Sequence, residues 1–346
     1  MTKVIQVERD LSVLDEAAKC LAGGGLVAFP TETVYGLGAS ALNEAAVAGI
    51  FVAKGRPQDN PLIVHISDKK MLDQVVSSVP PAAEKLMDAF WPGPLTIILE
   101  KSENIPISVT AGLQTVGVRM PSHPVALALI EKSGVPVAAP SANLSGCPST
   151  TRASHVIHDL TGRVDYIVDG GACSVGLEST VLDMTGEVPQ ILRPGGVSLE
   201  ELQAVLGEVT YEPALKDSRE VPKSPGMKYR HYAPKGELYL VEPRYAESLA
   251  EKLAFFSGQG KKTGVLRCSD NQYEADFVID CGKTAEAYAS ALFDALRSMD
   301  DLGAEVMFAE LPQDEGGIVP ALMNRMLKAS GGQVLEENLT TRIERL

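Results

Sequence analysis

The sequence predicts a mixed α/β protein of two domains, and three observations predict it. Short β-branched runs alternate with runs of helical spacing along most of the chain. At 346 residues the chain exceeds what one hydrophobic core usually serves. A proline-rich stretch without sustained period, 208–235, separates two such α/β regions. The expected layout is a twisted mixed-sheet domain over 1–207, a long linker over 208–235 and a smaller α/β domain over 236–346.

The elements run in order along the chain. "VIQV" is a short β-branched strand. "LSVLDEAAKCLAGG" sets Leu11, Leu14, Ala18 and Leu21 at helical spacing and stops at glycine. "LVAF" reads as a buried strand ended by Pro30. "NEAAVAGIFVAKG" is a helix with Asn43 as N-cap and Gly55 at its end. "LIVHI", "LTIIL", "TVGVRM", "VPVAA", "DYIVD" and "STVLDM" are strands, with helices around 80–90, 123–133, 152–160 and 198–206. Beyond the linker, "ELYLVE", "TGVLRC", "DFVID" and "AEVMFAEL" alternate with helices that include "TAEAYASALFDALRSMDD" and "GIVPALMNRMLKAS".

Composition excludes several classes. No apolar run reaches the ~18 residues needed to span a bilayer, and "MTKVIQVERDL" lacks the apolar core of a signal peptide. The cytoplasm is the expected compartment, with no membrane partner. The five cysteines, Cys20, Cys147, Cys173, Cys268 and Cys281, are odd in number, scattered and without a C-x-x-C, which disfavours a zinc site or a disulfide framework. The net charge of −14 disfavours a broad nucleic-acid surface, since such binding draws on phosphate neutralisation. Only the linker is basic on balance; it holds Lys228, Arg230, His231, Tyr232 and Lys235.

Four stretches could carry chemistry. "YGLGASA" matches G-x-G-x-x-A at Gly36, Gly38 and Ala41. "PTETVY", however, separates it from the preceding strand, where a dinucleotide fingerprint needs its tight turn, so it reads as a glycine-rich turn. "FPTETVYGLG" places Thr31, Glu32, Thr33 and Tyr35 after a buried strand, where α/β sheets bind ligands. Turn chemistry by the threonines explains that stretch equally well. "KGRPQDNP" puts Lys54 and Arg56 beyond a helix C-terminus in a loop stiffened by Pro57 and Pro61. Cations there complement the helix dipole; a planar guanidinium beside an ammonium also suits a polyphosphate. His65, alternating along "LIVHI", points into the same space or serves the strand alone. In "PVAAPSANLSGCPST" a strand ends at Pro140 and Ser141, Asn143, Ser145, Ser149 and Thr150 come after it, either as a phosphate cradle or as a turn into the next helix.

Taken together these stretches are specific. "KGR" followed by "SAN" resembles the K-x-R…S-x-N signature of the YrdC-type threonylcarbamoyl-AMP synthases. "FPTETVYGLG", "RPQDNPLIVHI", "WPGPLT", "GVRMP", "GLESTVLD" and "LRPG" are similar to the same family in the same order. The resemblance covers essentially all of 1–207. "SPGMKYRHYAP" and the region C-terminal to it resemble the long form of the family, with a small Rossmann-like C-terminal domain.

The resemblance implies an activity and roles. The family makes L-threonylcarbamoyladenylate from ATP, L-threonine and bicarbonate with release of pyrophosphate. Other proteins then move the threonylcarbamoyl group to an adenosine of certain tRNAs. Lys54 and Arg56 are implied to act on the triphosphate. Asn60, Thr115, Ser141, Asn143, Ser149 and Arg193 are implied on the nucleotide side, joined by His231 and Tyr232 if residues 226–234 close as a lid. Arg119 is implied to hold threonine's carboxylate, and Thr33, His65, Ser179 and the Ala139 carbonyl its amine and hydroxyl, with Tyr35 as a wall. Mg2+ is implied with the ATP, bridging phosphate oxygens. Two other readings compete: an RNA-binding module, disfavoured by charge and the lack of aromatic stacking runs, and a carbamoyl-transfer maturation factor, whose large relatives carry cysteine pairs absent here.

Overall fold

The computed structural model describes residues 1–212, 222 and 231–335. The chain divides into two compact units: Met1–Ser145 with Ser149–Tyr229, and Gly146–Pro148 with Arg230–Leu346. Each carries its own sheet, as the alternating pattern predicts.

Eleven strands build the sheet of the first unit among the described residues: β1 (Lys3–Gln6), β2 (Val27–Phe29), β3 (Gly36–Ser40), β4 (Ile63–His65), β5 (Leu95–Glu100), β6 (Thr115–Arg119), β7 (Val137–Ala139), β8 (Tyr166–Asp169), β9 (Thr180–Asp183), β10 (Gln190–Arg193) and β11 (Thr210–Tyr211). Their order is β1-β8-β2-β3-β7-β4-β6-β5-β9-β10-β11, with parallel and antiparallel pairs mixed. Three of these depart from the sequence expectation, among them β10, which was not expected as a strand. "GLGAS" is a strand, not a turn: a Cβ on Gly38 would lie 2.7 Å from Val137 Cγ1 and 2.8 Å from Phe29 Cε1, so glycine is there for close approach between strands. Thr210–Tyr211, inside the stretch expected as linker, pairs with β10 and lengthens the sheet edge.

The helices form where the sequence signals them. Glu44–Lys54 starts with the Asn43 side chain accepting from Ala46 N at 3.1 Å and ends on Gly55 at φ 61°. Only glycine takes that conformation without strain, and it turns the chain sharply after Lys54. Leu199–Leu206 opens with a capping box between Ser198 and Glu201.

The described helices of the first unit pack unevenly on the two faces of the sheet. On one face, Val47, Ile50, Val64, Ile97, Leu99, Val116, Val118 and Leu182 join the main core. On the other, helices Asp15–Ala22 and Pro124–Ser133 cover Val27, Phe29, Val137 and Ala139. Beyond β7 that second face holds only a small apolar cluster of Ile63, Ile98, Val181 and Leu192. A small cavity with room for about one water lies there, lined among others by Ile63, Thr96, Ile98, Thr115, Gly117 and Val181.

The second unit is a four-stranded parallel sheet of β12 (Glu237–Val241), β13 (Thr263–Arg267), β14 (Phe277–Asp280) and β15 (Val306–Glu310), in the order β12-β15-β13-β14. Helices Ala246–Gly258, Ala285–Leu302 and Val319–Ser330 complete it, around Val241, Leu249, Leu253, Val265, Val306 and Phe308. Buried Glu310 accepts from the backbone N–H groups of Cys268 (2.7 Å) and Ser269 (2.8 Å) and from the Tyr273 hydroxyl, which pins the β13–β14 connection. Among the described residues no helix is long and apolar enough to cross a membrane.

Gly195, in "LRPG", marks the tightest approach in the first unit. A Cβ there would lie 2.1 Å from Thr180 N and 2.2 Å from Ser179 C. Gly195→Ala is expected to destabilise the protein by about 1–3 kcal/mol through overpacking, read as a lower denaturation midpoint; a midpoint equal to the parent's would contradict this packing.

Candidate active site

The two-residue period of the strands assigns side chains to the face away from the main core. Along β4, Ile63 and His65 face it while Val64 enters the main core. Along β6, Thr115, Gly117 and Arg119 alternate with core residues Val116 and Val118. Register sets His65 beside Arg119 on one neighbour and beside Val137 on the other, with Ile63 beside Ala139. Thr96 of β5 and Ser179, just before β9, lie on this side too, their hydroxyls 2.7 Å apart. The β9–β10 pairing shifts between Ile191 and Arg193, and Arg193 donates to Ser179 O from Nε (3.2 Å) and Nη2 (3.0 Å). Such an irregularity re-aims a side chain that strict alternation would send elsewhere.

Arg119 is the most constrained of these groups. Its Nε donates to Gly93 O at 3.1 Å, Nη1 to Thr33 Oγ1 at 2.9 Å, and Nη2 lies 2.6 Å from Glu32 Oε1. Thr33 is held in turn by Thr31, whose hydroxyl lies 2.8 Å away and donates to Val34 O. "WPGPLT" is the brace: Gly93 holds Arg119, Pro94 O accepts from Thr180 N at 3.0 Å, and Thr96 meets Ser179.

The cationic loop closes against the serine–asparagine loop. Lys54 is 2 % exposed, and its ammonium donates to Ser141 O, Asn143 O and, at 3.5 Å, Asn143 Oδ1. Ser145 N donates back to Lys54 O at 3.1 Å, and Ser141 Oγ to Asn143 Oδ1. The same loop is bound to β3 through Ala142 N on Tyr35 O at 2.8 Å. Arg56 folds over its own loop, donating to Pro61 O at 3.2 Å and, at 3.4 Å, to Asn60 O. Ser149 donates to Glu178 Oε1 at 2.6 Å.

Several buried polar atoms have no hydrogen-bond partner among the described residues. They include Asn60 Oδ1, His65 Nδ1, Thr150 Oγ1 and Thr151 Oγ1 in these loops and strands, and others elsewhere such as Ser108 Oγ and Tyr288 Oη. Unsatisfied buried groups are costly. Those in these loops and strands point to a polar ligand that completes them.

Thr33, His65 and Arg119 thus meet on the face away from the main core, with Ala139 of β7 in register with Ile63, Ser179 bonded to Arg193 and Thr96, and Thr115 at the small cavity. Lys54, Ser141 and Asn143 form one bonded group. Tyr35 is fully buried in the core and its hydroxyl donates to Gly171 O at 2.7 Å. His231 and Tyr232 belong to the second unit, where the Tyr232 ring lies 5.1 Å from that of Phe293. Lys228 and Arg230 lie outside the described residues. Glu32, Glu178, Thr96 and Gly93 were not assigned from sequence. Glu32 stood in a quoted motif, but an acid is not sought in a site for anions.

Burial, with help from the Arg119 charge, pushes the pKa of His65 from its ordinary 6.5 down to about 3. The imidazole is neutral at physiological pH. The unfolded chain takes up this proton near pH 6.5 and the folded chain near 3, so stability is full above 6.5 and falls as pH drops toward 3. His65→Gln should lose less stability than the parent between pH 7 and 5 in chemical denaturation. Equal slopes for the two proteins would refute the buried neutral imidazole.

Comparison with known proteins agrees with this architecture. A family model described as "Telomere recombination" matches residues 19–195, and one described as "Threonylcarbamoyl-AMP synthase, C-terminal domain" matches 197–331. A threonylcarbamoyl-AMP synthase of Pyrococcus abyssi is 51% identical over 324 residues, covering 92% of this chain and 94% of its own. One of Bacillus subtilis is 48% identical over 340 residues, covering 96% and 98%. The crystal structure of P. abyssi Sua5 complexed with L-threonine superposes with a TM-score of 0.91 at 48% identity, over 96% of this chain and 98% of that one. The chain therefore belongs to the threonylcarbamoyl-AMP synthase family, in its two-domain form.

Proposed function

We propose that the protein is an L-threonylcarbamoyladenylate synthase, a nucleotidyltransferase that joins ATP, L-threonine and bicarbonate and releases pyrophosphate and water. The observation that carries this reading is the gathering of Arg119, Thr33 and His65 around buried polar atoms that lack partners. A zwitterionic hydroxy amino acid supplies the complementary groups. The related P. abyssi protein has been crystallised with L-threonine, and the relatives' names support the same product.

In this reading threonine's amine loses its proton and takes up carbon dioxide derived from bicarbonate as a carbamate. A carbamate oxygen then attacks the α-phosphorus of ATP as pyrophosphate leaves. Transfer of this kind depends on positioning and charge stabilisation more than on a protein nucleophile. Arg119 has one N–H left on each terminal nitrogen beyond those facing Thr33 and Glu32, which suits a bidentate carboxylate. Neutral His65 is fitted to hydrogen-bond the substrate hydroxyl. Ser179 and the Ala139 carbonyl serve the amine and hydroxyl, and Arg193 steadies Ser179 while reaching the nucleotide. On the nucleotide side stand Arg56, Asn60, Thr115, Ser141, Asn143 and Ser149. Lys54 contributes its charge partly through the Ser141–Asn143 loop that it grips.

Magnesium enters as part of the nucleotide substrate. Among the described residues no group of three or more His, Cys, Asp or Glu could hold a metal, so phosphate oxygens and water would be its ligands. The product would pass to proteins that transfer the threonylcarbamoyl group to tRNA. The reading requires no stable nucleic-acid complex.

Incubation with ATP, L-threonine and bicarbonate should release pyrophosphate only when threonine is present; release independent of threonine would refute the reading. Arg119→Ala should raise the threonine KM by about a hundredfold or more, as loss of a charge-assisted bidentate pair does, with a much smaller change for ATP. Equal changes for both substrates would contradict the role of Arg119.

A further inference from the structure

Glu32 is a buried carboxylate in a site whose substrates are anions. Its Oε1 lies 2.6 Å from Arg119 Nη2, and both side chains are under one-tenth exposed. Burial opposes its ionisation, yet the Arg119 charge and neighbouring N–H groups outweigh that and leave its carboxyl below the ordinary carboxylate range. The guanidinium that the amino acid would use therefore carries a built-in counter-charge.

The pairing matters because of what approaches it. In the proposed reaction the carbamate formed on threonine must reach the α-phosphorus, so the two substrates lie within bond-forming distance. A triphosphate is drawn to any uncompensated cation within that range. A guanidinium paired with a carboxylate has no net charge to offer a polyanion. It still has a planar edge of two N–H donors for one carboxylate. Thr33 and Gly93 hold that edge in a fixed orientation.

We propose that Glu32 is a specificity-determining residue: by neutralising Arg119 it reserves the guanidinium for the lone carboxylate of the amino acid and denies it to the phosphate chain of the nucleotide. The proposal rests on the reading of the site as one for threonine and ATP. It gives the negative charge of Glu32 a purpose that orientation alone does not, since a neutral acceptor would orient Arg119 as well.

The test is a calorimetric titration of threonine into the full-length protein, with and without inorganic tripolyphosphate. In the parent, tripolyphosphate should change threonine affinity less than about twofold. In Glu32→Gln, which keeps an acceptor beside Arg119 but removes the charge, it should weaken threonine binding by about tenfold or more, the scale of one misplaced charge. A merely structural role would lower threonine affinity without creating this competition. Glu32→Asp keeps the charge but withdraws it by one methylene, and should show intermediate competition; it serves if Glu32→Gln gives no cooperative melting transition. Insensitivity of threonine binding to tripolyphosphate in the folded variants would overturn the proposal. Absence of threonine binding in the parent would instead overturn the functional reading beneath it.

Discussion

The site depends on the two-residue period of the strands at the point where helical cover of one sheet face ends. β4, β6, β5 and β9 each send alternate residues into a core packed by helices, and the others toward a face that no described helix of the first unit closes beyond β7. Ile63, His65, Thr115, Arg119, Thr96 and Ser179 share that face because of register, not sequence proximity. A slip of one residue in β6 would send Arg119 into the apolar core and Val118 into the site. The apolar packing that holds β4 against β6 and β7 is thus also what aims the polar groups.

Buried charge imposes the second requirement. Lys54, Arg119 and Arg193 are each nearly inaccessible, and an ion removed from water must be bonded or paired. Each meets this through a different loop: Lys54 through Ser141 and Asn143, Arg119 through Glu32, Thr33 and Gly93, Arg193 through Ser179. The charged groups therefore act as staples among loops distant in sequence. Loops without regular structure become rigid enough to position substrates because the side chains that would face the ligand also hold the loops together.

Much of this was legible in the chain. Asn43 carries its capping chemistry in its side chain and Gly55 in its lack of one, and the structure uses both. Strand β3 was not legible, because Gly36 and Gly38 lower strand propensity and only the crowding by Val137 and Phe29 explains them. Tyr35 continues the alternation of Leu37 and Ala39 and joins the main core, a burial its motif did not announce. Glu32 was visible as a residue, but its partner Arg119 lies on β6, the fourth strand after it, and no local pattern announces the pair.

By itself, then, the sequence determined the α/β class, most element boundaries, the identity of the cationic and hydroxyl loops and their family. These follow from local propensity, capping and motif order, all written within a few residues of one another. Tertiary structure alone decided which polar groups meet: His65 beside Arg119, Lys54 on the serine–asparagine loop, and Glu32 against Arg119. Those pairings arise from strand register and from the need of each buried charge for a partner, and both are satisfied only when distant segments are brought together.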